Sequence, residues 1–260
     1  MEGASVTDKP LITADPWAVL RSQTPARIGL GRSGRSMPTK ELLAFSAAHA
    51  QARDAVHLPL QADALAAQLA DLFGEPTLQL RSAAPDRSTY LLRPDLGRRL
   101  SDDSRALLSQ QTFTGCDLLL IVGDGLSAAA VERQAVPMLA ALLATKPEGW
   151  RLGPPVLATQ ARVALGDEIG ERLAAAQVAM LIGERPGLSS PDSLGVYLTH
   201  APRVGRSDAE RNCLSNVRPE GLSHAEAARK LWWLAQAARR LQLTGVGLKD
   251  HSDVKAVPEG

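Results

Sequence analysis

The stretch "CDLLLIVGDGLS", residues 116–127, decides the fold class of this 260-residue chain. Its apolar run continues without interruption from Leu118 to Val122 and then ends in glycine and aspartate. Such a run is typical of a strand that is buried on both faces of a parallel sheet. A segment rich in Leu and Ala follows it, and we predict a helix there from Ala128 to about Thr145. A buried strand that leads directly into a helix indicates an α/β domain.

Strand and helix patterns alternate on both sides of this unit. A helix is predicted in "DEIGERLAA", residues 167–175, because acidic side chains lie in its first turn. Strands are predicted in "TLQL" (77–80), "STYLL" (88–92), "PPVLATQARVAL" (154–165), "QVAMLIGERPG" (177–187) and "SLGVYLTH" (193–200). We therefore expect an α/β fold with a doubly wound, mostly parallel, Rossmann-like sheet.

The N-terminal part of the chain has helical patterns and no strand pattern. Helices are predicted from Asp15 to about Ser22, from Pro38 to about Val56, and in "ADALAAQLADLF", residues 62–73. We divide the chain into four parts. They are a flexible tail (1–14), a helical N-terminal lobe (15–75), a Rossmann-like domain (76–250) and a C-terminal tail (251–260).

The last part of the predicted domain holds a long loop and a final helix. Residues 201–221, "APRVGRSDAERNCLSNVRPEG", contain glycine, proline and polar residues and are predicted to form a loop. Ser223 is predicted to cap a helix that runs to about Leu241. Glu226, three residues further on, is its expected capping-box partner.

Composition excludes several classes of protein. The 29 basic and 28 acidic side chains nearly cancel, and only 3% of residues are aromatic, which argues against nucleic-acid binding. No apolar run approaches the length of a membrane-spanning helix, and no secretory signal is evident. The two cysteines, Cys116 and Cys213, do not form a disulfide framework. A cytoplasmic protein that binds neither membrane nor nucleic acid is expected.

The stretch "GLGRSG", Gly29 to Gly34, matches the glycine spacing of dinucleotide-binding loops. Such a loop needs a buried strand immediately before it, and the preceding "RSQTPAR" is polar and contains a proline. We therefore favour a basic loop that contacts a partner or caps a helix. A nicotinamide-dependent oxidoreductase remains an alternative.

Two loops follow predicted strands and should lie at the same edge of the sheet, where ligands bind in open α/β folds. In "VGDGLS", residues 122–127, Ser127 is a candidate helix cap and Asp124 a candidate acceptor within the turn; a well-formed turn explains this loop as well as a ligand contact does. In "IGERPGL", residues 182–188, Glu184 has no Lys or Arg four positions away on a helix face, and Arg185 could be its partner or could face another subunit. This loop is the stronger candidate for function.

Catalytic and metal-binding patterns are weak. The stretch "RNCLSN", residues 211–216, places Cys213 in the predicted loop, but a nucleophilic cysteine needs a base, and nothing fixes His200 or His224 beside it. A thiol that packs as a small apolar group is the favoured interpretation. No Cys/His cluster has zinc spacing, so no catalytic residue and no metal ligand is assigned.

Several blocks together resemble the small subunit of ethanolamine ammonia-lyase. They occur in that family's order: "ARIGLGRSG" with "PTKELLAFSAAHAQARDAV", then "LLRPDLGRRLS", "IVGDGLS", "ARVALGDEIGE", "LIGERPGLSSPDSLGVY" and "ERNCLSNVRPEG". The resemblance extends from about residue 14 to residue 248, which is nearly the whole chain.

The resemblance implies an adenosylcobalamin-dependent carbon–nitrogen lyase that converts ethanolamine to acetaldehyde and ammonia by radical chemistry. It implies a large-subunit partner, a β/α barrel that holds the substrate, and a higher hetero-oligomer that is active only as a complex. The cofactor is base-on and shared, and its contacts in this family fall on Val163, Glu184 and Cys213. The site of action in many relatives is a bacterial microcompartment in the cytoplasm, and the tail 1–14 is a candidate encapsulation or solubility segment.

A non-catalytic assembly or adaptor subunit is the other alternative. Such a protein would bind only other proteins and would show no cobalamin-dependent change. The sequence leaves the subunit stoichiometry and the docking surface open.

Overall fold

The computed structural model describes residues 15–113 and 115–253. The predicted tail 1–14 lies outside the described residues, as do residues 254–260 of the predicted C-terminal tail. The chain divides into two compact units, the first ending at His49 and the second beginning at Ala50. All strands of the sheet and the candidate site lie in the second unit.

The described residues contain eight α-helices and six strands. The helices are α1 (Ala18–Arg21), α2 (Thr39–His57), α3 (Ala62–Phe73), α4 (Arg87–Leu92), α5 (Asp102–Ser109), α6 (Ala128–Ala144), α7 (Leu165–Arg172) and α8 (His224–Leu241). The strands are β1 (Leu78–Arg81), β2 (Leu119–Gly123), β3 (Val156–Thr159), β4 (Gln177–Gly183), β5 (Leu194–His200) and β6 (Asn212–Val217). Short 3₁₀ turns span Leu96–Arg98, Asp208–Glu210 and Gly245–Gly247. None of these helices is both long and apolar enough to cross a membrane.

The strands form one mixed sheet in the order β1-β3-β2-β4-β5-β6. The first four are parallel to one another, whereas β5 pairs antiparallel with β4 and β6 pairs antiparallel with β5. The α/β class is therefore confirmed, and the sheet is mixed. The expected doubly wound, mostly parallel, Rossmann-like sheet is not confirmed, because two of the six strands run antiparallel to their neighbours.

The connection between β4 and β5 explains the antiparallel edge. It consists only of residues 184–193, with prolines at 186 and 191. A parallel return needs a crossover of a dozen or more residues, usually a helix, so this short loop can join only antiparallel neighbours. The two prolines keep the loop from becoming the missing crossover helix.

Side chains of β2 alternate between two apolar layers. Leu120 and Val122, with Leu118 just before the strand, pack in the layer that contains α3, α6 and α8. Leu119 and Ile121 pack on the opposite face with residues of α5 and α7. Since β2 continues into α6 and its neighbour β3 continues into α7, the chain leaves adjacent strands toward opposite faces. This divergence forms a crevice at the carboxyl ends of β2 and β3, the place where open α/β sheets bind ligands.

Two sequence interpretations are wrong at the level of single elements. "STYLL" forms most of helix α4 rather than a strand, because Asp86 caps it: its carboxylate accepts from the Thr89 amide at 2.7 Å. "NCLSNV" forms strand β6 rather than a loop. It is an edge strand in which half of the residues are polar; its buried residues, Leu214 and Val217, are three apart, and the pairing with β5 is irregular there.

The predicted N-terminal caps of helices α6 and α8 are present. Ser127 accepts from the Ala130 amide at 3.1 Å, and Ser223 accepts from the Glu226 amide at 3.3 Å. The Glu226 carboxylate, however, binds the Arg229 guanidinium at 2.6 and 2.9 Å. The serine half of the predicted capping box is therefore present, while the glutamate stabilises the first turns through an ion pair instead.

A buried ion pair fixes α7 against the antiparallel edge of the sheet. The Arg211 guanidinium, in the residue before β6, donates two hydrogen bonds to the Asp167 carboxylate, at 2.6 and 2.7 Å. Both side chains are almost fully buried, with exposed fractions of 2% and 3%. Thr199 of β5 contacts the same guanidinium at 3.0 Å. This pair links the helix that follows Val163 to the strand that carries Cys213.

Candidate functional site

Three loops meet in the crevice at the carboxyl ends of the parallel strands and enclose a cavity of about 430 Å³. They follow β2, β3 and β4, and the middle of α4 and the middle of β5 complete the wall. The lining residues are Tyr90, Gly125, Leu126, Arg162, Val163, Ile182, Gly183, Glu184, Arg185 and Tyr197. Val163 and Glu184, which lie in separate parts of the sequence, are thus brought to one cavity.

Glycines allow the first and third of these loops to touch. Gly125 has a φ of 56°, in the left-handed region, and a Cβ there would overlap the Gly183 carbonyl oxygen. A Cβ at Gly183 would overlap the carbonyl oxygen of Ser127. The Leu126 amide donates to the Gly183 carbonyl at 2.9 Å. The backbones of the two loops are therefore in close contact beside the cavity, and residues larger than glycine at these positions would prevent that contact.

Glu184 leaves the end of β4 and turns toward β6. Its carboxylate accepts from the Ser215 hydroxyl at 2.6 Å through Oε1 and from the Asn216 amide at 3.1 Å through Oε2. An ionised carboxylate has about four acceptor positions on its two oxygens. The two protein donors fix the orientation of the carboxylate and leave further acceptor positions free for a ligand.

Val163 gives the cavity an apolar wall. It is half-buried and packs against the core layer that contains α7. The Arg162 amide donates to the Gly97 carbonyl at 2.8 Å, and this bond fixes the loop that carries both residues. An exposed part of Val163 remains available for an apolar contact.

Cys213 is not part of the cavity wall. It lies on β6, exposed, directly opposite Tyr197 of β5, which does line the cavity. Desolvation raises the pKa of the Cys213 thiol, opposed by a hydrogen bond with Tyr197, and the Glu184 carboxylate raises it further. A raised pKa keeps the thiol protonated at neutral pH, which disfavours a nucleophilic role.

Replacing Cys213 with Ser is expected to change little. The substitution nearly preserves volume at an exposed position, so the free energy of unfolding should shift by about 0.5 kcal/mol or less. If the chain binds the cobalamin that the sequence resemblance implies, the affinity of the complex for it should change less than threefold, measured by absorbance titration. A nucleophilic cysteine would behave differently: any turnover of the complex would vanish while cofactor affinity stayed at the parent value.

Asp124 organises the loop after β2. It is buried, and its carboxylate accepts from the Ala161 amide at 2.9 Å and lies 3.4 Å from the Arg87 guanidinium. Burial raises the pKa of the Asp124 carboxyl, against the lowering effects of these two donors. The loop "VGDGLS" is therefore a well-formed turn whose aspartate joins two site loops, in agreement with its structural interpretation.

Sequence reasoning missed a cluster of Arg87, Tyr90 and Arg162, of which Tyr90 and Arg162 line the cavity. Tyr90 is fully buried and donates to the Ala161 carbonyl at 2.9 Å. The guanidinium carbons of Arg87 and Arg162 lie 4.8 and 4.3 Å from the centre of its ring. These residues come from distant parts of the chain. The only sign in the sequence was the position of Arg162 directly beside Val163, which could have indicated that Arg162 belongs to the site.

A larger cavity, of about 540 Å³, lies beside α7 and is lined mainly by charged residues. Its charges are largely paired within the protein: Asp95 binds Arg93 and Arg99, and Arg206 pairs with Glu210. Its lining therefore presents few groups that lack a partner, and the smaller cavity at the strand ends is the better candidate site.

Two other kinds of site have no support in the described part of the chain. No group of three or more His, Cys, Asp or Glu side chains there could hold a metal ion. The "GLGRSG" stretch is preceded within residues 15–28 by the short helix α1 and by no strand, and the first strand of the sheet begins at Leu78. It lacks the strand that a dinucleotide-binding loop requires.

Comparison with known proteins identifies close relatives. The family model described as "Ethanolamine ammonia-lyase light chain (EutC)" matches residues 14–249. Three relatives are each named "Ethanolamine ammonia-lyase small subunit". The protein from Ralstonia nicotianae is 55% identical over 96% of this chain and 93% of its own length. That from Azotobacter vinelandii is 56% identical over the same shares, and that from Pseudomonas syringae pv. tomato is 55% identical over 94% and 86%.

Proposed function

Because the chain belongs to the ethanolamine ammonia-lyase light-chain family, we propose that it is the cofactor-covering subunit of an adenosylcobalamin-dependent lyase. Together with a large subunit, it would bind base-on adenosylcobalamin and support conversion of ethanolamine to acetaldehyde and ammonia. The observation that carries this proposal is the cavity at the carboxyl ends of β2, β3 and β4, where Val163 and Glu184 meet.

The residues present fit one side of such a cofactor. The corrin ring is broad and flat and has carboxamide groups around its rim. The cavity is too small to enclose it, but its open side offers apolar surface at Val163, an oriented carboxylate at Glu184 and guanidinium groups at Arg162 and Arg185. Two buried polar atoms near this edge, Arg87 Nη2 and Gln160 Oε1, have no hydrogen-bond partner in the described residues. A ligand that carries polar groups and is held between this surface and the large subunit fits these observations.

In this proposal, the three predicted contact residues have distinct tasks. Glu184 accepts hydrogen bonds from amide N–H groups of the cofactor rim through the acceptor positions that Ser215 and Asn216 leave free. Val163 packs against the ring. Cys213 contributes apolar contact beside Tyr197, at the outer margin of the same surface. These contacts hold and orient the cofactor and shield it from water.

The chemistry of the reaction comes from the cofactor, since adenosylcobalamin supplies a radical when it is bound. No acid–base constellation in the described residues competes with this assignment: the Cys213 thiol has a raised pKa, and His224 binds Gln134 at 2.9 Å. Substrate contacts are therefore assigned to the large subunit. The relatives' name, "small subunit", supports such a partner and a hetero-oligomeric enzyme.

Reconstitution tests this function. The purified chain, a large subunit of the same family, and their mixture would each be assayed for acetaldehyde release from ethanolamine with adenosylcobalamin present. We expect turnover only in the mixture. Turnover by this chain alone would contradict the proposal, and an inactive mixture that nevertheless forms a stable complex would favour the adaptor alternative.

The proposed place of action is the cytoplasm, in association with a bacterial microcompartment. A role for residues 1–14 in encapsulation can be tested by deleting them. Unchanged co-sedimentation of the shortened protein with shells would dismiss that role.

A further inference from the structure

Arg162 has an unusual position for a charged side chain. It lies on the cavity wall beside Val163 and is half-buried. Within the described residues its guanidinium donates one hydrogen bond, from Nη2 to the Tyr90 carbonyl at 3.3 Å, and has no carboxylate partner. Its Nε is buried and has no hydrogen-bond partner. Removing a cation from water without a compensating acceptor is costly, so a group from outside the chain is the expected partner.

The surrounding residues hold this guanidinium in place. Its guanidinium carbon lies over the ring of Tyr90, 4.3 Å from the ring centre, and Tyr90 is itself fixed by the bond to Ala161. Gly97 lies against the aliphatic part of the side chain, and a Cβ at this glycine would approach Arg162 Cγ to 2.8 Å. A cation that is held between these two neighbours has already lost much of its conformational freedom, which favours ligand binding.

The charge of the cavity indicates the kind of group that binds. Arg162 and the exposed Arg185 both line the cavity, whereas Glu184 is its only lining carboxylate among the described residues. The nearby cation Arg87 differs because it lies 3.4 Å from the Asp124 carboxylate and donates to the Gly125 carbonyl at 2.8 Å. The excess positive charge at the wall favours an electron-rich oxygen.

We propose that Arg162 is a further cofactor-binding residue, whose guanidinium donates to an oxygen on the periphery of the cobalamin. The inference rests on the proposed function and deepens it. Cobalamin offers two sources of such an oxygen, the phosphodiester of its nucleotide loop and the carboxamide carbonyls of its corrin side chains. Glu184 and Arg162 then form a complementary pair on one cavity, an acceptor and a donor for a ligand that presents both kinds of group.

The test uses the complex of this chain with the large subunit and follows hydroxocobalamin binding by absorbance titration. Arg162→Gln should weaken binding about tenfold with an unchanged thermal midpoint. Arg162→Lys keeps the charge and the aliphatic stem but loses the planar fork, and should weaken binding about threefold. Arg240→Gln is the control, because Arg240 is an exposed arginine on α8, and it should leave binding unchanged.

A second titration, with cobinamide, distinguishes the two oxygens because this corrin lacks the nucleotide loop and its phosphodiester. A loss of affinity confined to cobalamin identifies the phosphodiester, whereas an equal loss for both probes identifies a corrin carbonyl. Parent-like affinity of either Arg162 variant for both probes overturns the inference. A parent complex that binds cobalamin normally would then leave the proposed function intact, while a parent complex that binds none would overturn both.

Discussion

Replacing Asp167 with Asn is expected to lower the free energy of unfolding by about 3–5 kcal/mol, the usual cost of removing one partner from a buried ion pair. The Arg211 guanidinium would remain buried and charged, and the exposed Asp208 carboxylate would be its only remaining ionic partner among the described residues. For a unit of this size, the thermal midpoint should fall by about 10 °C. Chemical denaturation and a thermal melt of the purified chain measure both quantities.

Asp208 provides the matched control. Its carboxylate contacts the same guanidinium at 3.3 Å, but 86% of its side chain is exposed. Solvent screens such a pair, so Asp208→Asn should cost less than about 1 kcal/mol. Equal losses for the two variants would show that burial does not determine the strength of the Asp167 pair. A negligible loss for Asp167→Asn would show that α7 and β6 are held together by packing alone.

Glu184→Gln is expected to weaken cobalamin binding by the assembled enzyme by about ten- to a hundredfold. A hydrogen bond to a charged group contributes about 1.5–3 kcal/mol where water is excluded, and each 1.4 kcal/mol corresponds to a factor of ten. The amide keeps one acceptor oxygen, so the loss should lie toward the lower end. Absorbance titration of the complex with hydroxocobalamin gives the affinity.

The structure gives Glu184 a second, purely structural interpretation, because its carboxylate also joins the end of β4 to β6. Ser215→Ala separates the two interpretations: it removes one orienting hydrogen bond and leaves the carboxylate. It should change cobalamin affinity by threefold or less. If both variants lower the thermal midpoint and neither changes the dissociation constant, Glu184 is a structural link and not a cofactor contact.

The central strands and the loop with Glu184 could be predicted because their signals are local. Uninterrupted apolar runs define β2 and β4, and glycine and charged residues after β4 mark a loop at the ligand-binding edge. The antiparallel edge was harder to predict, since half of "NCLSNV" is polar and its irregular pairing hides the alternation of buried and exposed side chains. The sign that could have shown it is the length of the β4–β5 connection.

The groups that support the site could not be predicted from local patterns. Tyr90 and Ala161 are 71 positions apart, and Asp167 and Arg211 are 44 apart. An arginine without a carboxylate partner is recognisable only when all its neighbours are known. The resemblance to a family predicted contacts at Val163, Glu184 and Cys213, whereas the fold shows that the first two share a cavity and that the third lies opposite Tyr197, outside the lining of that cavity.

The central claim is that this chain and a large subunit together form a cobalamin site at the carboxyl ends of β2, β3 and β4. Titration with hydroxocobalamin, followed by absorbance, tests it most directly when the chain is measured alone and in complex with the large subunit. We predict a saturable spectral change in the complex that is much weaker for the chain alone and is weakened by Glu184→Gln. A complex that gives no such change would contradict the account. So would a large subunit that binds hydroxocobalamin with the same affinity in the presence and in the absence of this chain.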